Sequence, residues 1–350
     1  MSNLYLCIFV IFLTGIKLEQ TVRVAVENSG VKPDSRLFSL YPKMCNLLLN
    51  SKSENTVKSY YYSFKRWERF ITDHGHSALP AEPVHVALYL TSLISDGASS
   101  HPITNAFYGI KWAHNVNGLH DPTENQFVNS ILEASKRTSE KKCNRKEPIS
   151  SDILINICDK FKDSLDLLVI RDLTMMLISF AGFLRYDELR SVRFNDITIY
   201  DNYLLLKIHK SKTDQYRQGD EIFISKGLTL ACPYNMFVKY VNLAGFDKDS
   251  NKFLFRPVYR SKHICKLINK KQVSYTAAKE ALLNRVKLVA PECNIGLHSF
   301  RSGGATAAAN SDVNERCLKR HGRWKSESSK DRYIADSTDK RLQVSKNLGL

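Results

Sequence analysis

Acidic residues are scarce relative to basic ones in this 350-residue chain: 35 Asp and Glu stand against 51 Lys and Arg, giving a net charge of +16 and a pI near 9.4. That imbalance leaves two readings, a polyanionic partner such as nucleic acid or a positive face that only meets solvent. Paired cysteines are missing as well. The eight cysteines (7, 45, 143, 158, 232, 265, 293 and 317) contain no C-x-x-C pair. This spacing excludes a zinc-ribbon pattern and the density of a disulfide-stapled scaffold, and it fits thiols buried as small apolar groups in a reducing compartment. Long apolar runs are absent apart from Leu4 to Leu13, which is short of the roughly 20 residues a membrane helix needs. The run resembles the apolar part of a secretion signal, but no Lys or Arg precedes it and no A-x-A site follows. The alternative is a dispensable extension, with Met44 as an internal start. The chain also lacks a G-x-x-x-x-G-K-[ST] loop, a G-x-S-x-G elbow and a carboxylate cluster suited to two magnesium ions. There is no internal repeat and no low-complexity tract.

Helical periodicity dominates what is present. Residues 17–50 are weakly patterned except for the apolar stretch Cys45 to Leu49. From Glu54, the residues Val57, Tyr60, Tyr61, Phe64, Trp67 and Ile71 fall on one helical stripe that ends at Gly75. An aromatic stripe of this kind is core. The basic residues off it, Lys58, Lys65, Arg66 and Arg69, are the candidates for phosphate contact. Pro83 opens a second helix with Ala87, Leu88, Leu90 and Ile94 as its apolar side. A third carries Ile103, Phe107, Ile110 and Ala113, and Asp121-Pro122 starts a fourth containing Phe127, Val128, Ile131 and Leu132. The four predict a small helical domain over 50–138, preceded by an extension, 1–49.

A polar bridge follows, with Lys136, Arg137, Lys141, Lys142, Arg145 and Lys146 leading to Pro148. Such a segment packs no core and reads as a basic linker over 139–147, either following a DNA backbone or forming a solvated hinge. A second domain, 148–350, starts with helices near 151–160 and 165–183. It then changes period: 203–209 and 221–225 predict strands around the polar turn 211–220, and helix returns after Thr229. The expected class is mainly α (α+β).

Three local patterns carry chemistry: Gly182-Phe183-Leu184-Arg185-Tyr186-Asp187-Glu188-Leu189, then Leu297-His298-Ser299-Phe300-Arg301-Ser302-Gly303-Gly304, then His321-Gly322-Arg323-Trp324 with Tyr333 nine residues after the tryptophan. Singly each is weak. A lone arginine at a helix end usually caps carbonyls or pairs with a carboxylate, and a lone tyrosine near a C-terminus usually packs. In this order, however, with a lysine in the intervening hairpin, the set resembles the catalytic constellation of the tyrosine recombinase (phage integrase) family across residues 50 to 340. Ser211-Lys212-Thr213-Asp214 and His321-Gly322-Arg323-Trp324 resemble in particular its eukaryotic transposon branch, the Crypton and DIRS-type recombinases.

That resemblance implies a helical SAM-like core-binding domain joined to a mostly helical catalytic domain with a small antiparallel sheet. It implies catalytic roles for Arg185, Lys212, His298, Arg301, Trp324 and Tyr333, and the residue types suit them. Two guanidiniums can hold the non-bridging oxygens of a phosphodiester with forked, permanently charged donors. Three residues before Arg301, His298 shares its helix face, and the Trp324 indole can add an N–H. A tyrosine, ordinarily protonated with a pKa near 10, needs positive surroundings and a base, which His298 can be. Lys212 matches the position that protonates the leaving 5′-hydroxyl, with Lys210 its nearest competitor. The role expected of Glu188 is to orient Arg185. A phosphotyrosine link conserves bond energy, so no cofactor, metal or ATP is implied.

Between Lys252 and Lys287 the basic residues are Lys252, Arg256, Arg260, Lys262, Lys266, Lys270, Lys271, Lys279, Arg285 and Lys287, with Glu280 the only acid. This run, together with Lys141, Lys142, Arg145 and Lys146 of the linker, is the expected surface for sequence-independent backbone contact. The partners implied are double-stranded DNA and further copies of the chain, forming a dimer or tetramer on it. No membrane is implied, and the eukaryotic resemblance implies the nucleus. The tail after Tyr333, with Leu342, Val344 and Leu348 at helical spacing, either docks on a neighbouring protomer or folds back. Two other functions fit the same residues: a transposon-derived DNA-binding protein in which catalysis is dispensable, and a type IB topoisomerase-like nickase.

Overall fold

The computed structural model describes residues 18–138, 146–211, 214, 218–247, 250–261, 264–269 and 271–349. Its chain contacts separate into two compact units, Met1–Cys143 and Asn144–Leu350. Among the described residues no helix is long and apolar enough to cross a membrane.

The first unit is helical. Residues 18–28 and α1 (Tyr41–Leu49) form a small cluster in which Leu18, Val22 and Cys45 are buried beside Val116. The weakly patterned segment is therefore structured, and Met44 lies inside α1. Next come α2 (Glu54–Asp73), α3 (Pro83–Ser95), α4 (Ser100–Val116) and α5 (Gln126–Thr138). Ser53 caps α2 by accepting from Thr56 N, and Gly75 beyond its end has φ +78°. α2 packs on α4 so closely that a Cβ at Gly109 would lie 2.9 Å from both the Tyr60 carbonyl and Ser63 Cβ. Trp67, Leu90, Ile110 and Val128 form the centre of the core. Leu88 and Phe127, expected to face inward, are exposed instead. Val86 and Tyr89 take the inner positions of α3. The fourth helix also starts later than expected, because Pro122–Glu124 is a 3-10 turn capped by Asp121.

The second unit places α6 (Ser151–Lys160), α7 (Leu167–Ala181) and α8 (Tyr186–Ser191) before a three-stranded antiparallel sheet. The sheet is β1 (Ile197–Ile199), β2 (Tyr203–Ile208) and β3 (Asp220–Ser225), with Leu205 opposite Phe223. Along β3, Ile222 and Ile224 turn inward while Phe223 faces out, the alternation a one-sided sheet requires. After α9 (Pro233–Ala244) the chain does not return directly to helix. Val258–Arg260 (β4) and Cys265–Leu267 (β5) form a second hairpin inside the basic run. Each strand is only three residues long, with Leu267 alone buried, too short a stretch to show a period of two. The remaining helices are α10 (Tyr275–Lys287), α11 (His298–Asn310), α12 (Glu315–His321), α13 (Glu327–Asp331) and α14 (Thr338–Lys346). The core centres on α7, which is buried along nearly its whole length. The molecule is mainly α with small antiparallel sheets, as its residue pattern implied.

Candidate active site

The site is built at the C-terminal end of α7. That helix stops at Ala181, Gly182 caps it, and Phe183 takes φ +46°, in the left-handed region where a bulky residue is strained. The Phe183 carbonyl accepts from two guanidiniums, Nη1 of Arg301 and, at 2.9 Å, Nη2 of Arg323. Arg185 follows as the N-cap of α8. Glu188, three residues on, accepts from the Arg185 amide at 3.0 Å and from its Nη1 at 2.7 Å. The same carboxylate accepts from Arg323 Nη2 at 3.0 Å and lies 3.9 Å from Arg301 Nη1. Three guanidiniums thus share one buried carboxylate. Burial works against the charge on Glu188, but Arg323 first, then the Arg185 amide and guanidinium and Arg301, outweigh it and hold its pKa below the ordinary glutamate value.

Arg301 is delivered by α11. A Cβ at Gly304 would run into the Phe180 carbonyl and the Phe183 ring, and one at Gly303 into the Ile149 carbonyl. Gly304 therefore lets α11 lie directly against the end of α7, and Gly303 lets it lie against the segment leading into α6. Arg301 is 0 % exposed, and its Nη2 donates to the Gly322 carbonyl at 2.6 Å. Its pKa falls below the usual arginine range, chiefly through burial and then through Arg185 and Arg323. The guanidinium carbon lies 5.0 Å from the Trp324 ring centroid and 4.9 Å from that of Tyr333. The Trp324 and Tyr333 centroids are 5.6 Å apart. His298, exposed at the start of α11, places its ring 6.5 Å from Tyr333 at an interplanar angle of 27°.

The fold therefore brings Arg185, His298, Arg301, Trp324 and Tyr333 into one cluster. Lys212 lies outside the described residues. Asp220, which opens the strand after it, is within electrostatic range of Arg323 and Glu188, and burial raises its pKa. Glu188 does orient Arg185, as expected, but it serves two further arginines. Arg301 is not an open fork: both terminal nitrogens are on carbonyls and two rings cover it. Three buried N–H groups of the cluster, Trp324 Nε1, Arg301 Nε and Arg323 Nε, find no acceptor among the described residues.

Arg323 lies within the motif His321-Gly322-Arg323-Trp324, whose sequence assigns it no role. It sits at φ +55° with its side chain 3 % exposed, and it donates to the carbonyls of Gly182 (3.1 Å) and His321 (2.7 Å) besides Phe183 and Glu188. Its burial comes from contacts with residues about 140 positions earlier, and no local pattern carries that signal. His321 is also drawn in: its Nε2 is 2.7 Å from the Ala181 carbonyl, and burial lowers its pKa.

The expected DNA contacts divide. Lys65, Arg66, Arg69, Lys266 and Lys271 are exposed and Lys58 is half-buried. Lys65 pairs with Glu68 at 2.5 Å, and Arg66 donates to Ser63 Oγ at 3.0 Å. Lys146 bonds Asn294, so the end of the basic bridge is already held by the second unit. Lys141, Lys142, Arg145, Lys262 and Lys270 lie outside the described residues. Three further members of the basic run have partners within the second unit, Arg256 and Arg285 from buried or half-buried positions and Arg260 from an exposed one. Arg256 is buried, bonding Asn269 at 2.8 Å and stacking on Phe246. Arg285 pairs with the buried Asp172 at 2.8 Å, and Arg260 pairs with Asp166.

The chain belongs to the phage integrase family, the tyrosine recombinases, whose family model matches residues 150–340. It is 27% identical to an integrase/recombinase XerD homolog of Selenomonas ruminantium, over 88% of this chain and 89% of the relative. Its fold resembles that of the XerH site-specific recombinase bound to a palindromic difH substrate in a post-cleavage complex. That likeness has a TM-score of 0.57 at 15% identity and covers 97% of this chain and 96% of the other. It also resembles a lambda integrase dimer bound to a COC′ core site, with TM-score 0.52 at 15% identity, covering 83% and 74%.

Proposed function

We propose that this protein is a site-specific DNA recombinase in which Tyr333 cuts and rejoins strands through a 3′-phosphotyrosine. The observation that carries the reading is the placement of the Tyr333 ring on Arg301, beside His298 and Trp324, with Arg185 joined to Arg301 through Glu188. Attack of Tyr333 Oη on phosphorus forms the P–O bond of the adduct and breaks the bond to the 5′-oxygen. His298 takes the phenol proton, and Lys212 gives a proton to the leaving 5′-hydroxyl. Arg185 and Arg301 bind the non-bridging oxygens, and Trp324 Nε1, a buried donor in need of an acceptor, supplies another hydrogen bond. For a phosphate to reach Arg301, the Tyr333 ring must slide off its stack and a guanidinium N–H must turn from its Phe183 or Gly322 carbonyl towards the phosphate. Rejoining runs the same steps backwards with the 5′-hydroxyl of a second strand, so neither ATP nor metal enters.

In this reading residues 50–138 are the core-binding domain, 139–147 the basic linker and 148–350 the catalytic domain, and the partner is duplex DNA. Copies of the chain assemble as a dimer or tetramer on two sites. Helix α14 buries none of its residues, and Leu342, Val344 and Leu348 are exposed, which favours docking of the tail on a neighbouring protomer. The finer assignment, a recombinase of the eukaryotic transposon branch acting in the nucleus, is supported by Ser211-Lys212-Thr213-Asp214 and by Trp324 after His321-Gly322-Arg323.

A nicked duplex that loses its short 5′ fragment tests the chemistry. Wild type is expected to accumulate a protein–DNA adduct in the presence of EDTA and without ATP, whereas Tyr333→Phe forms none and binds the duplex with nearly unchanged affinity. An adduct that survives Tyr333→Phe would falsify the assignment of the nucleophile. Recombination of a two-site plasmid distinguishes a recombinase from a nickase.

A further inference from the structure

We propose that Arg323 is a positioning residue for this reaction: it carries the charge of Glu188, and so leaves Arg185 and Arg301 with a net positive field for the phosphate. The inference rests on the recombinase reading and extends it to a residue outside the catalytic set. The cluster holds three guanidiniums and one buried carboxylate, a net of +2. Without Arg323 the whole negative charge of Glu188 would fall on the two clamps, leaving +1 to meet a phosphodiester. Asp220 is the next charge out, and Asp214 and Lys325 act on it in opposite directions. The Glu188–Arg323 contact is 3.0 Å between side chains 2 % and 3 % exposed, and solvent screens such a pair weakly.

The backbone argues the same way. At φ +55° position 323 favours glycine, and an arginine there is strained. Scaffold bonding alone would account for the contacts of Arg323 with the carbonyls of Gly182, Phe183 and His321, but not for the contact with Glu188. The depressed pKa of Arg301, lowered in part by Arg185 and Arg323, agrees with a cluster that is positive on balance.

Three variants separate charge from scaffold. Arg323→Lys keeps the charge and loses the forked geometry. Arg323→Met loses both. The pair Arg323→Met with Glu188→Gln loses the fork but restores the balance of +2. Adduct formation on the nicked duplex is expected to fall on the order of 100-fold in Arg323→Met, the scale of losing one transition-state donor. It is expected to stay within about 10-fold of wild type in Arg323→Lys and to recover at least about 10-fold from Arg323→Met in the double variant. In parallel, the affinity for the same duplex at one fixed low salt concentration should fall in Arg323→Met and return in the double variant. Arg323→Lys as inactive as Arg323→Met, or a double variant no better than the single one, overturns the proposal, because a purely structural role predicts both. If Arg323→Met does not fold, the comparison of Arg323→Lys with the double variant still decides: both are active under the charge reading and both impaired under the scaffold one. Failure of wild type to form any adduct would sink the recombinase reading alone, and the duplex affinities of the variants would still test the charge balance.

Discussion

Trp324 packs its ring on Arg301 yet leaves its buried Nε1 without an acceptor among the described residues. An unmade buried hydrogen bond costs about 1–3 kcal/mol. Trp324→Phe, which removes the donor and keeps most of the ring, should therefore change stability little, with lost packing and relieved desolvation roughly offsetting. Adduct formation should drop on the order of 100-fold. Parallel losses in stability and rate would show the indole to be a packing group only. Glu188 contributes to the acid sensitivity of the fold. Its pKa is depressed in the folded state, so its stabilising contribution is complete above the unfolded value near 4.3 and is lost as pH falls through the lower folded value. Glu188→Gln should be less stable near neutrality, by about 3 kcal/mol, but its melting temperature should fall less steeply as pH drops below the ordinary glutamate range. An acid limb of unchanged steepness would mean that Glu188 does not titrate with unfolding.

Several elements are positioned by contacts smaller than a methyl group. α11 reaches α7 only because Gly304 meets the Phe180 carbonyl directly. Gly304→Ala should cost about 1–3 kcal/mol as overpacking, lower the melting temperature, and slow cleavage by moving Arg301. α13, only five residues long, is anchored by Lys330. That lysine is 2 % exposed and pairs with Glu315, with Glu327 at 2.6 Å and with Asp331 at 3.8 Å, three residues before Tyr333. At this scale a periodicity reading did well where one face is apolar and the helix is long, as in α2 and α4. It placed Leu88 and Phe127 inward because apolar residues on a short helix fit more than one stripe, and only the neighbour they would have to meet decides between stripes. It missed β4 and β5 because a three-residue hairpin has too little alternation to register.

Across the whole molecule the excess of positive charge has two destinations. Arg256 and Arg285 are inside the second unit, on Asn269 and Asp172, while Lys65, Arg69, Lys266 and Lys271 face solvent. Substituting the exposed group one at a time with alanine should weaken duplex binding and reduce the salt slope by about 1 for each contacting residue. Arg285→Ala should lower stability by breaking the buried pair with Asp172 and leave the slope unchanged, which salt titration and thermal melting can separate. The order Arg, Lys, His-x-x-Arg, Trp, Tyr was legible in the chain because chemistry demands those residue types, and the mainly helical class because amphipathic helices write their period locally. Burial of Arg301, the third guanidinium on Glu188 and the internal use of half-hidden basic residues were decided only by tertiary structure. A charged side chain has the same sequence signature whether it meets water or a carboxylate, and its partner, here about 140 residues away, is chosen by packing.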